Sequence, residues 1–252
     1  MLRRRHFLAH LEPSVREAIL PALIGALPAP LTDRDVEERV TRVVLDNDLP
    51  GIVCRPTGPC PEGGGQLGFA FPFRKGEERV RAAVPVSRDQ ISRFTSPWEV
   101  MDQAAGMACP PHPALPEIRD LGRELGVRTG LIGSAALQAM TGLPYLRPGS
   151  DIDLVIRGEG REIAVLDRFR KGVHGISLRH ATKIDVEVEF QEKYGIKIDD
   201  ILSSIQSVIV KTIDEVYLVN REEFIGSLSG SLEDFILSTQ LLTGASWAHP
   251  SA

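Results

Sequence analysis

LIGSAALQAMTGLPYLRPGSDIDLVI, from Leu131 to Ile156, is the stretch on which the reading of this chain turns. Leu131 and Ile132 lead as a short apolar strand into Gly133-Ser134. AALQAM then has helical character, and Thr141-Gly142 closes it, glycine being the usual residue just past a helix end. Pro144 and Pro148 keep the next residues out of helix. Ser150 to Ile156 alternates and then turns continuously apolar, the pattern of a strand entering a core. On a strand, residues i and i+2 share a face at roughly 7 Å. Asp151 and Asp153 therefore project together, with Ile152 and Leu154 opposite. Two such carboxylates repel unless a cation lies between them. Hard oxygen ligands suit Mg²⁺, which is commonly held by one or two carboxylates together with substrate phosphates. Gly133-Ser134 complements them: glycine permits close approach, and N–H groups opening a helix can hold a phosphate. A lone Asp-x-Asp is more often a solvated strand end. The Gly-Ser turn followed at this spacing by SDIDLVI points instead to nucleotidyl transfer.

The combination resembles the polymerase-beta-like nucleotidyltransferase superfamily. More narrowly, GSAALQAMTGLPYL followed by SDIDLVI is similar to the malonate decarboxylase holo-acyl-carrier-protein synthase family, also called phosphoribosyl-dephospho-CoA transferase. KIDVEVEF (183–190), VIVKTIDEVYLV (208–219) and the arginine-rich start running into His6 add to the resemblance, although Phe7 and His10 depart from the expected pattern. It covers about half the chain, mainly 127–220, while 50–110 matches only in outline. The resemblance implies transfer of a 2′-(5″-phosphoribosyl)-3′-dephospho-CoA unit from its triphosphate precursor to a serine of the apo acyl carrier subunit of malonate decarboxylase, with loss of pyrophosphate. It also implies a third metal carboxylate on a neighbouring strand. KIDVEVEF alternates strictly, so Asp185 is the first choice and Glu187 the second; a solvated outer face is the alternative. The expected site is then Asp151, Asp153 and Asp185 for Mg²⁺ and catalysis. Gly133 and Ser134 hold phosphates, with Arg147 and Lys211 as further candidates. Lys211 lies in an apolar strand and either snorkels to solvent or reaches a phosphate.

The rest of the chain sets bounds. At 252 residues it forms one large or two modest domains. Hydrophobic residues are 42% and charged residues 25%, an ordinary balance for a globular protein. A net charge of −5 argues against a broad nucleic-acid surface. No apolar run approaches the length of a membrane span. No signal-peptide core follows Arg3-Arg4-Arg5, and a cytoplasmic setting is expected. Cys54, Cys60 and Cys109 are too few and too irregular for a disulfide framework or a zinc site.

The expected fold class is α+β: a small N-terminal α+β domain over 1–112, and a C-terminal nucleotidyltransferase domain over 113–252 with a mixed sheet flanked by helices. The boundary is placed at the proline-rich run 109–116, whose four prolines bar regular structure. Before it, helices are expected at 14–26, with Pro21 kinking or shortening it, and after a Thr32 cap. A strand follows at Gly51–Cys54, then GFAFPF and ERVRAAV as paired strands. A capping-box helix from Ser96 runs to about Met107. After the boundary come helices at 116–125 and 160–171, strands at 174–179 and 183–190, a hairpin turning near Asp214, and a last helix over 232–243. Arg3, Arg4, Arg5 and His6 suit a disordered basic start, or contact with a phosphate-rich substrate. His112 and His180, and Trp98 and Trp247, have structural or surface roles.

An adenylyl- or uridylyl-transferase on another acceptor is the competing enzymatic reading, and a non-catalytic binding module, such as an antitoxin partner, the non-enzymatic one.

Overall fold

A computed structural model describes residues 1–228 and 230–243. Trp247, expected as a packing residue, lies outside the described residues. The chain is α+β, with two sheets built one after the other. The first part contains β1 (Leu8–Leu11), α1 (Arg16–Gly25), α2 (Arg34–Asp46), β2 (Gly51–Cys54), β3 (Gly65–Lys75), β4 (Glu78–Val86) and β5 (Ile91–Thr95). Its strands form an antiparallel sheet in the order β4-β3-β2-β1-β5. On β3 and β4, alternation sends Phe69, Phe71, Phe73, Val80, Ala82 and Val84 inward, where Leu20 and Leu23 of α1 and Val36, Val40 and Val44 of α2 share one core with them. Asp33, rather than Thr32, caps α2: its Oδ1 accepts from the Val36 N–H at 2.9 Å. The Thr32 hydroxyl is spent on the Ala29 carbonyl at 2.7 Å. Pro21 sits inside α1, which still runs to Gly25.

The second part holds α3 (Pro97–Gly106), α4 (Ala114–Glu124), β6 (Thr129–Ile132), α5 (Gly133–Thr141), β7 (Ile152–Arg157), α6 (Ile163–His180), β8 (Ile184–Phe190) and β9 (Tyr194–Lys197). It continues with α7 (Ile198–Leu202), β10 (Ser207–Lys211), β11 (Val216–Asn220), α8 (Arg221–Ser227) and α9 (Leu232–Thr243). The sheet order is β11-β10-β9-β8-β7-β6, mixed because β7 and β8 alone run parallel among the described pairs. That parallel pair requires a crossover, and α6 supplies it. Ile152, Leu154, Ile156, Val186, Val188 and Phe190 bury one face of this sheet with Leu166, Phe169, Val173 and Ile176 of α6.

A second expectation changes besides the Thr32 cap. Residues 174–179 are helix, not strand: α6 continues to His180. Gly172 and Gly175 break the apparent helical propensity, yet Leu166, Phe169, Val173 and Ile176 keep helical spacing and all are buried. Gly172 is there for close packing, since a Cβ would stand 2.6 Å from Cδ2 of Leu121. α3, which precedes the proline-rich run, packs with the second part of the chain. Ser96 and Glu99 form the expected capping box, but Val100, Met101 and Ala104 pack into the second core. Trp98 is buried beside them, with the guanidinium of Arg157 4.9 Å from its ring.

Candidate active site

The decisive feature is the corner between β6, α5 and β7. Ile132 pairs with Asp153 across β6 and β7, and the chain then bends at Gly133 with φ of +68°, a left-handed conformation that glycine adopts at little cost. The bend lies against the acid: a Cβ at residue 133 would stand 2.5 Å from Oδ2 of Asp153. No side chain caps α5, so its first N–H groups keep the free donors that every helix start presents. The Ser134 hydroxyl has no hydrogen-bond partner among the described residues and lines the same cleft as Asp151 and Asp153.

Parallel pairing places the other carboxylate. Asp153 is the register partner of Asp185, and both point to the sheet face opposite the apolar core. Asp153 is the most enclosed of the three. Burial, then the charges of Asp185 and Asp151, raise its pKa above the ordinary carboxylate value. A cation relieves this repulsion. Lys183 supplies one from the exposed side, with Nζ 3.1 Å from Oδ2 of Asp151 and 2.5 Å from Oδ2 of Asp185. Among the described residues no group of three or more His, Cys, Asp or Glu side chains is arranged to hold an ion alone. Two carboxylates already sharing one ammonium are nevertheless a donor set that fits a hard divalent cation completed by phosphate oxygens.

Glu187, one pleat further along β8, is engaged differently. Arg5 reaches its Oε1 at 2.9 Å, His6 donates or accepts there at 3.0 Å, and Lys211 stands 3.6 Å from Oε2. Burial would raise its pKa, but the His6 hydrogen bond and charge and the Arg5 guanidinium overcome it and hold the carboxyl at about 2. Lys211 is thus committed to Glu187 and does not line the cleft containing Ser134. The basic start is ordered rather than free. Arg3 pairs with Asp214, Arg4 with Glu192, and Arg5 also donates to the Lys211 carbonyl. His6 takes φ of 67° to make this turn.

The loop between α5 and β7 joins the two parts of the chain. Oε1 of Gln138 accepts from the backbone N–H groups of Tyr145 at 3.1 Å and Leu146 at 2.9 Å, fixing TGLPYL. The Tyr145 hydroxyl then donates to the Ala70 carbonyl of β3 at 2.9 Å. Burial pushes this phenol well above its usual range, so it stays a donor. The contact closes a cleft of about 510 Å³ between the β3–β4 hairpin and the second sheet. Ser134, Arg147, Asp151 and Asp153 line one side, and Arg74, Arg79 and Arg81 the other. The hairpin arginines were not among the expected site residues. Their signal is the alternation in ERVRAAV, which puts Arg79 and Arg81 on the face turned away from the first core. His180 bonds Glu117 at 2.7 Å, with the His112 ring 6.0 Å away; neither lines the cleft.

Comparisons with known proteins bear on the family of the chain. Residues 99–222 match the family model described as the phosphoribosyl-dephospho-CoA transferase MdcG C-terminal domain, and residues 4–97 match the corresponding N-terminal domain. A phosphoribosyl-dephospho-CoA transferase from Bradyrhizobium diazoefficiens is 27% identical over 165 residues, 66% of this chain and 71% of that protein. One from Xanthomonas euvesicatoria is 26% identical over 178 residues, 69% of this chain and 79% of its own length. One from Xanthomonas campestris is 27% identical over 176 residues, with the same coverage. No solved structure matches the chain. The two family models meet within two residues of Trp98, where the cores divide, and together they span nearly the whole described chain: it belongs to the phosphoribosyl-dephospho-CoA transferase family and is a transferase.

Proposed function

We propose that the chain is a nucleotidyltransferase of the polymerase-beta-like type. It attaches the 2′-(5″-phosphoribosyl)-3′-dephospho-CoA group, taken from its triphosphate precursor, to a serine of the apo acyl carrier subunit of malonate decarboxylase. The observation that carries this reading is the contact of the Gly133 bend with Asp153, beside Asp151 and Asp185. A turn suited to holding a polyphosphate adjoins a cluster of carboxylates there, and phosphoryl transfer requires both. The serine Oγ attacks the phosphorus attached to the ribose, the bond from that phosphorus to the bridging oxygen breaks, and pyrophosphate leaves. Asp185 receives the serine proton. The Ser134 hydroxyl and the free N–H groups opening α5 hold the departing phosphates. Asp151, Asp153 and Asp185 would hold Mg²⁺, which when bound neutralises phosphate charge.

Incubation with the apo carrier subunit, Mg²⁺ and the triphosphoribosyl precursor, followed by intact mass, tests the proposal. The expected result is a carrier heavier by one phosphoribosyl-dephospho-CoA unit. Strong labelling from plain ATP with none from the precursor would move the assignment to an adenylyltransferase.

A further inference from the structure

The three hairpin arginines are placed as no ordinary surface arginines would be. Arg74 and Arg79 are direct register partners across β3 and β4, and like charges directly opposite on a sheet destabilise it. Arg81 follows two residues along, on the same face. Partial burial, then the charges of Arg79 and Arg74, lower its pKa, while Asp153 is the opposite charge it faces. Salt bridges do not account for the grouping. Arg74 lies 4.0 Å from the fully exposed Glu77, while the side chains of Arg79, Arg81 and Arg147 have no hydrogen bond or ion pair among the described residues. In a chain of net charge −5, this cleft sets four guanidinium groups against three carboxylates, Glu77, Asp151 and Asp153.

The local backbone supports this grouping. Three residues of β3, Phe71 to Phe73, oppose the single Val80 of β4, because the register shifts between Ala70 and Arg74. Pro72, which cannot donate to a ladder, sits in this bulge, and bulges bend a strand. Ala70 and Pro72 are the small residues on the outward face, and they leave room above the sheet for long side chains. Ala70 is also the register partner of Arg81 and the acceptor of the Tyr145 hydroxyl. The rung bearing Arg81 is therefore the rung fastened to the second part of the chain.

We propose that the β3–β4 hairpin is the polyphosphate-binding wall of the active cleft: Arg74, Arg79 and Arg81, with Arg147 facing them, grip the anhydride-linked phosphates of the substrate. This deepens the proposed function and rests on it only for the substrate's name. Planar guanidinium forks match phosphate oxygens in pairs, and a bound polyanion removes the repulsion between Arg74 and Arg79. Arg81 meets the phosphates nearest Asp153, and Arg74 and Arg79 those toward the hairpin tip. The N-terminal part of the chain is thereby half of the site.

Calorimetric binding of inorganic tripolyphosphate to the full chain tests this. Arg81→Gln and the double variant Arg74→Gln/Arg79→Gln should each bind at least about tenfold more weakly, with a shallower salt dependence. Arg81→Lys, which keeps the charge and loses the fork, should fall between. Arg168→Gln, outside the cleft, should bind like wild type. Arg79 and Arg81 are both exposed, and Arg79→Gln alone keeps the test valid if Arg81→Gln fails to fold. Wild-type-like binding by the hairpin variants, or no binding by the wild-type chain, would overturn the inference. Loss of binding in those variants alongside a wild-type chain that never modifies the carrier keeps the wall and removes the proposed reaction. Intact transfer by the hairpin variants with unchanged binding does the reverse.

Discussion

Asp185 and Glu187 sit on one strand, two residues apart, on one face, and the protein treats them in opposite ways. Around Asp185 the acids outnumber the cations: Asp151 and Asp153 crowd it, and one exposed ammonium, Lys183, serves two carboxylates. Around Glu187 the cations outnumber the acid, with Arg5, His6 and Lys211 all converging. The first arrangement costs stability and leaves charge unsatisfied; the second consumes charge to join distant parts of the chain. Proximity of carboxylates does not separate a group proposed to react from one that joins the fold. The balance of partners around each does.

The comparison breaks most sharply on Asp151→Asn. Transfer to the carrier should fall by a factor on the order of 10³ or more, while the circular dichroism spectrum stays unchanged. Wild-type-like labelling would remove the assignment. Glu187→Gln should act the other way, on the fold. Leaving Arg5, His6 and Lys211 without their acid should cost roughly 3–5 kcal/mol, read in urea denaturation. The same group gives a pH test. Its pKa is about 2 in the folded chain against the ordinary 4.5, so its stabilisation is present above pH 4.5 and lost as pH falls toward 2. That limb is worth on the order of 3 kcal/mol in the wild type and should be missing from the variant.

Asp153→Asn sharpens the contrast in magnesium-free buffer. A carboxyl with a raised pKa is a charge the fold disfavours at neutral pH. The neutral amide should therefore raise Tm as transfer is lost. Tyr145→Phe should cost about 1 kcal/mol for the lost bond to Ala70 and raise KM more than it lowers kcat, because the hairpin loses its fastening. Lys183→Gln should be the mildest, moving Tm by less than about 2 °C, since it removes an exposed ammonium. A larger loss would mean that this ammonium, like those around Glu187, is structural.

Much of the candidate site's corner is legible in sequence because its pieces are local. The Gly-Ser turn, the helix closed at Gly142 and the strand after Asp151 are all encoded within Leu131–Ile156, and strand periodicity alone aimed two acids one way. Contacts between segments distant in sequence were not legible. Nothing in KIDVEVEF reveals that Arg5 and His6 come to Glu187, so its acids look equivalent. Nothing in ERVRAAV reveals that its charged face lines a cleft opposite a second sheet. Gly172 and Gly175 concealed the length of α6, because propensity argued against a helix that packing against Leu121 requires. Nothing in TGLPYL itself reveals what its tyrosine does. The Tyr145 hydroxyl acts across 75 positions of chain.

The turn at residues 3–6 has a further consequence, for the order in which the molecule assembles. Arg3, Arg4 and Arg5 find their acids at positions 214, 192 and 187. These arginines are thus among the last residues to reach their final places, because their partners are synthesised long after them. Until then the first sheet can form its own core but not its clasp, and a nascent or truncated protein ending before Glu187 would display a loose cationic end.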